Sequence, residues 1–106
     1  TLEMELGMNE SEANVTGWRG TDQGTQLKSS AEDSPAWTGT NMSGFSGLAG
    51  GKRSYLGYFT NEGDCGFFSL GNGASGLIRR LCGNQTAVSR DGSYPRTGHS
   101  VRCVRD

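Results

Sequence analysis

Any covalent or metal chemistry in this chain would have to run through three cysteines, one histidine and a few carboxylate-bearing turns. Cys65, Cys82 and Cys103 are widely spaced and form no Cys-x-x-Cys unit, so together with His99 they lack a zinc-site signature. A cysteine nucleophile needs a base beside it and a third group to orient that base. His99 is the one histidine, and it reads as a strand residue rather than a base. No paired-carboxylate, Ser/His or Cys/His arrangement stands out, so no catalytic residue is assigned and the expected protein is not an enzyme. Asn61-Glu62-Gly63-Asp64 is the densest group of side-chain oxygens and the one candidate for calcium. It lacks EF-hand spacing, and turns favour these residues for their own reasons. The expectation is therefore no cofactor and no metal, with calcium as the single exception to test.

The elements that would position these groups are short. The chain has 106 residues with 32% hydrophobic residues, 18 Gly and only 2 Pro. Its mean hydropathy is −0.59. One thin-cored domain fits, spanning 1–106. Apolar residues cluster at 55–59, 66–70, 77–81 and 101–104 between turn signals, as in a loop-rich β domain. A net charge of −1 predicts no general attraction to nucleic acid. No run approaches the roughly 20 apolar residues of a membrane helix, so no membrane insertion is expected. Residues 1–64 carry nine acidic and four basic side chains, residues 65–106 two acidic and six basic, all arginine. Packing of the acidic half against the basic half accounts for this more simply than a basic binding face.

Leu2 and Leu6 at i, i+4, followed by Gly7, predict a short helix. Asn9 with Glu12 resembles a capping box opening a second helix to about Asn14. Gly17-Trp18-Arg19-Gly20 reads as a break, and Asp22 as the cap of a third helix through Leu27 and Lys28. Residues 29–41 read as a loop anchored by Pro35 and Trp37. Strands are expected near 44–48, 54–59, 65–70, 77–82, 86–90 and 99–105, with a turn at Arg90-Asp91-Gly92. In the last strand His99, Val101 and Cys103 should point inward, and Ser100, Arg102 and Val104 outward. The chain starts at Thr1 without an initiator Met or a signal peptide, inside what already reads as helix. That suggests a processed product or an excised fragment.

Three blocks carry a family resemblance. Asn9-Glu10-Ser11-Glu12-Ala13 runs into Thr16-Gly17-Trp18-Arg19-Gly20-Thr21-Asp22-Gln23-Gly24 and Leu27-Lys28. Gly44-Phe45-Ser46-Gly47-Leu48-Ala49-Gly50-Gly51 with Arg53 follows, and Ser100-Val101-Arg102-Cys103-Val104 closes the chain. In this order and spacing the sequence resembles the Fibrobacter succinogenes major paralogous domain. The family's opening Trp-Arg-Leu-Pro-Thr block is absent, and Phe67-Phe68-Ser69-Leu70 stands where the family has Trp-Trp-Ser-Ser-Thr. The resemblance implies an α+β, C-type-lectin-like fold: short N-terminal helices, then a twisted antiparallel sheet with long Gly-rich loops, its first strand or helix start lying upstream of Thr1. It also implies a module of secreted or cell-surface bacterial proteins.

If 65–70 and 77–82 form a hairpin around 71–76, residues whose numbers sum to 147 face each other, and Cys65 and Cys82 meet that condition. A directly opposed pair satisfies disulfide distances, which makes Cys65–Cys82 the expected bridge and Cys103 a buried thiol. Cys82–Cys103 is the alternative pairing.

In C-type-lectin-like folds the loops between later strands form the recognition surface, which here implies 71–76 and 83–98. The second contains Gln85 and the binding candidates Asn84, Arg90, Asp91, Tyr94 and Arg96, adaptable polar groups with aromatic and arginine anchors. Asn9, Asn14, Asn41 and Asn84 each begin an Asn-x-Ser/Thr triplet, with Asn41 and Asn84 the better glycosylation candidates because they fall in predicted loops. The leading expectation is an extracellular, non-catalytic binding or adhesion module for a glycan or protein surface ligand. The alternative is a self-associating structural subunit of an extracellular assembly or filament, and a more remote one is a diversified ligand-binding variable domain.

Overall fold

The computed structural model describes residues 2–69, 77–92 and 97–102. Three short helices open the chain. In α1 (Leu2–Glu5) the spacing of Leu2 and Leu6 turns both onto a buried cluster of Leu27, Leu81 and Val88. Gly7, at φ +105°, ends this segment in a conformation that side chains with a Cβ rarely adopt. In α2 (Glu10–Ala13) the Asn9 Oδ1 accepts the Glu12 backbone N–H at 2.9 Å, half of the expected capping box. The reciprocal half is spent elsewhere: Glu12 Oε1 accepts the N–H of Gly20 at 3.0 Å. α3 (Gln23–Leu27) begins after Asp22 as expected, but the Asp22 side chain makes no capping bond and instead accepts from the Thr21 hydroxyl. Gly24 lies so close to the following sheet that an added Cβ would fall 2.1 Å from the Ala87 carbonyl oxygen.

A four-stranded antiparallel sheet, in the order β1-β6-β5-β4, takes β1 (Gly17–Arg19), β4 (Cys65–Ser69), β5 (Leu77–Cys82) and β6 (Val88–Gly92). The central hairpin has the expected register, Cys65 opposite Cys82 through Ser69 opposite Ile78, and a Cys65–Cys82 disulfide closes it with Cα atoms 4.1 Å apart. A smaller hairpin pairs β2 (Lys52–Arg53) with β3 (Phe59–Thr60).

Four local expectations are corrected. Gly17-Trp18-Arg19 is an edge strand rather than a break, because its backbone pairs with Arg90, Ser89 and Val88. Arg90-Asp91-Gly92 is strand rather than turn, paired with Arg79, Ile78 and Leu77. Residues 44–48 form no strand, since Gly44 and Ser46 both have positive φ and only Gly47 bridges to Lys28. Residues 54–58 form the turn of the small hairpin, closed by Ser54 N–H donating to the Tyr58 carbonyl at 2.7 Å.

The closing segment also differs from the expected strand. Over the described residues 97–102 it makes two isolated contacts, Gly98 with Arg53 and Ser100 with Phe68, the latter meeting the outer edge of β4. Val101 is 77% exposed rather than inward, because alternate-residue pairing to two different partners leaves no ladder to hold it against a core. Cys103 and Val104 lie outside the described residues, as does the 71–76 loop.

Alternation along the paired strands separates two faces. One carries Arg19, Phe68, Arg79, Leu81, Val88 and Arg90, and packs against the helices, with Phe45 meeting Phe68 edge-on at 5.5 Å. The other carries Trp18, Cys65, Phe67, Ile78, Arg80, Cys82, Ser89 and Asp91. There Cys65, Phe67, Ile78 and Cys82 form a small core of their own.

Candidate binding groove

On the second face, at the disulfide end of the central hairpin, the surface opens into a groove of about 650 Å³. Trp18 reaches it from β1 and Trp37 from the long loop; Arg80, Cys82 and Cys65 form its floor, and Asn61, Asp64, Asn84 and Gln85 stand around it. The disulfide and the Cys65–Cys82 pairing fix the floor. The Asp64 carbonyl accepts the Gly83 N–H at 2.9 Å, which joins the turn before β4 to the turn after β5.

A cation lies against each aromatic wall. The Arg80 guanidinium lies 4.9 Å from the centre of the Trp18 ring, and the Lys28 ammonium 5.6 Å from that of Trp37. Lys28 is only 2% exposed and spans the layer beneath the groove, its Nζ donating to the carbonyls of Cys82 at 2.8 Å and Gln85 at 2.7 Å. Those two bonds shape the turn that presents Asn84. Burial pushes the Lys28 ammonium below the ordinary lysine value, as expected for a charge whose partners are dipoles rather than a carboxylate. Thr38, beside Trp37, donates its hydroxyl to the Gly83 carbonyl at 3.0 Å.

The sequence-derived candidates separate. Asn84 is exposed on the rim of the groove. Asp91 is on the same sheet face, accepts the Ser89 hydroxyl and has its Oδ2 3.9 Å from Arg80 Nε, so it touches the groove only through Arg80. Arg90 is on the opposite face and donates to the Asn14 carbonyl at 2.6 Å, a bond that ties β6 to the end of α2. Tyr94 and Arg96 lie outside the described residues. Asn41, at φ +52°, uses its Nδ2 to donate to Asp33 Oδ2 and Ser46 Oγ, and its Oδ1 accepts the Ser46 N–H. A glycan on that nitrogen would have to displace one of those bonds, whereas the exposed Asn84 amide has no such bond among the described residues. The Asn61–Asp64 turn considered for calcium borders the groove; among the described residues no three His, Cys, Asp or Glu side chains gather at one point.

Trp18, Trp37, Lys28 and Arg80 were not among those candidates. Their one sequence signal was that the chain's two tryptophans both stand in polar, glycine-flanked or loop stretches; Trp18 is exposed, whereas Trp37 is half-buried and also packs against the Leu27, Leu81 and Val88 cluster.

The helix-packed face holds a different cluster. Glu3, nearly fully buried, accepts from both Arg19 and Arg79 through Oε1, and Arg19 also donates to the Val88 carbonyl at 2.8 Å. Burial alone would raise the Glu3 carboxyl. The hydrogen bond and charge of Arg79, with the bond from Arg19, outweigh burial and hold it below the ordinary value. A second cavity of about 210 Å³ adjoins this cluster, lined mainly by Leu2, Leu27, Phe45, Phe68, Leu81 and Val88.

No curated protein and no solved structure matches the chain. The family model of the Fibrobacter succinogenes major domain matches residues 1–105, and with nearly the whole length covered, the chain belongs to that family.

Proposed function

We propose that this domain is a non-catalytic binding or adhesion module of C-type-lectin-like build, carried by a secreted or cell-surface bacterial protein, and that the Trp18–Trp37 groove is its recognition site. The observation that carries this reading is the open groove itself, in which each of two indole rings lies against a cation while amide side chains stand at the rim. Rings and amides are binding groups; a disulfide fixes the floor between them, and a buried lysine holds the turn that presents Asn84 and lies against Trp37. A cross-strand disulfide in so thin a core favours an oxidising compartment. Short helices ahead of an antiparallel sheet with long loops favour the C-type-lectin-like class.

The test is surface binding of the immobilised domain to a panel of neutral glycans, acidic glycans and purified surface proteins, with and without calcium. Trp37→Ala and Asn84→Ala should abolish or weaken any binding found, and Val15→Ser, an exposed change near α2, should not. Binding that survives both groove changes would move the site elsewhere.

A second reading, a structural subunit of an extracellular assembly, is favoured by the small hairpin. Tyr55, Leu56, Tyr58 and Phe59 are all exposed there, a concentration of apolar surface that association would cover. Light scattering across a concentration series decides it, since a strictly monomeric protein at high concentration would remove this reading.

A further inference from the structure

Resting on the groove as the recognition site, we propose that its ligand is a neutral saccharide, seated on the indole rings and hydrogen-bonded by Asn61, Asp64, Asn84 and Gln85. The first observation is a contrast in how side-chain amides and carboxylates are used. Elsewhere many are turned into the protein: Gln23 and Gln26 donate to the Leu6 carbonyl, Asn9 caps a helix, and Asn41 and Asp33 close a loop, while others such as Glu5, Glu10, Asn14 and Glu32 are exposed singly on the surface. At the groove, the Asn61, Asp64, Asn84 and Gln85 side chains make no hydrogen bond among the described residues. They leave donors and acceptors of both kinds facing one open volume. A sugar hydroxyl donates and accepts at once, and an amide is its natural complement because it also does both.

The second observation is the charge balance. The groove has one cation, Arg80, and one carboxylate, Asp64. Arg80 is already committed to the Trp18 face and lies near Asp91. Recognition of phosphate, sulfate or an acidic peptide relies on clustered arginine or lysine, and the groove lacks such a cluster among the described residues. The third observation is the aromatic surface. An extended peptide that adds to a sheet needs a free strand edge, whereas this groove lies across a sheet face. Its flat indoles suit a ring with an apolar C–H face and a polar perimeter, and a pyranose has that shape.

The experiment titrates the ¹⁵N-labelled chain with three probe sets: neutral hexose and N-acetylhexosamine trisaccharides, uronate trisaccharides, and extended heptapeptides. The expected result is that a neutral trisaccharide shifts both indole N–H signals and that Asn84→Ala weakens its binding by about tenfold. Asn84 is exposed, so this variant keeps the fold, and Gln85→Ala gives an independent second reading of the rim. If uronates or peptides move the indoles and neutral sugars do not, the saccharide assignment falls while the groove stands as a binding site. If no probe of any class moves either indole, both assignments fall.

Discussion

The two faces of the four-stranded sheet treat their polar groups in opposite ways. On the helix-packed face the buried charges are paired with one another: Glu3 from the acidic half of the chain is shared by Arg19 and Arg79, beside a cavity lined by Leu2, Leu27 and Phe45. On the groove face the buried cation, Lys28, is satisfied by carbonyls, and the amides around it are left to solvent. The difference separates the group that fastens helices to the sheet from the group that presents a surface. Changes on the first face should therefore act on stability, and changes on the second should act increasingly on recognition.

The largest expected effect comes from breaking the first face. Glu3→Ala leaves two arginines without their shared carboxylate, and losing one member of a buried ion cluster costs about 3–5 kcal/mol. Denaturant unfolding should show this as a lower midpoint. Removing the staple of the second face comes next. The Cys65–Cys82 bridge spans 17 residues, so replacing both cysteines with alanine should destabilise by about 3 kcal/mol. Equal or greater loss from the disulfide would mean that the groove face, not the ionic cluster, dominates the fold.

Lys28→Met keeps most of the volume and removes both hydrogen bonds, leaving the Gln85 carbonyl without its donor and the Cys82 carbonyl with only the Gln85 N–H, at a cost of about 1–3 kcal/mol. Because it also frees the turn that carries Asn84, groove binding should weaken in the same variant. A Lys28→Met protein that loses stability but binds normally would make the lysine purely structural.

Acid should act on the helix-packed face through Glu3. The folded Glu3 carboxyl titrates below its ordinary value, so the unfolded chain takes up that proton first as pH falls. The stabilisation is complete above the ordinary carboxylate range and is lost as pH drops through the folded value. Glu3→Gln should flatten this part of the stability–pH curve. An unchanged slope would show that other carboxylates carry the acid response.

How far the sequence foretold all this also differs between faces. The β4–β5 register and the disulfide followed from hairpin arithmetic, because antiparallel pairing is determined once one opposed pair is known. The first two helices were legible from Leu2/Leu6 spacing and the Asn9 cap, which are local signals. The edge strand at Trp18 was not, since its flanking glycines at φ +86° are turn cues and only pairing with β6 makes the three residues a strand. The groove failed for the same reason. Trp18, Trp37, Asn61 and Asn84 come from four separate stretches of chain, and nothing local announces that Lys28 will draw the last turn towards the long loop. Arg90 shows the converse: a residue apt for binding in composition is consumed by a bond to Asn14 once β6 turns it to the other face.

The smallest expected effect on stability is at the groove rim, and it is the most pointed test of the division between faces. Asn84 is exposed, lies outside every strand and helix, and spends its side chain on no hydrogen bond among the described residues. Asn84→Ala should therefore change the unfolding free energy by no more than about 0.5 kcal/mol, the usual range for a surface change that removes no packing or cap. The two indole N–H signals of the free protein should stay close to their original positions, because Trp18 and Trp37 are held by Arg80 and Lys28 rather than by the rim. A loss of more than about 1 kcal/mol would be the behaviour of a structural residue. It would mean that the rim, like Glu3 on the other face, supports the sheet, and that the polar groups of the two faces do not divide between fastening and presentation.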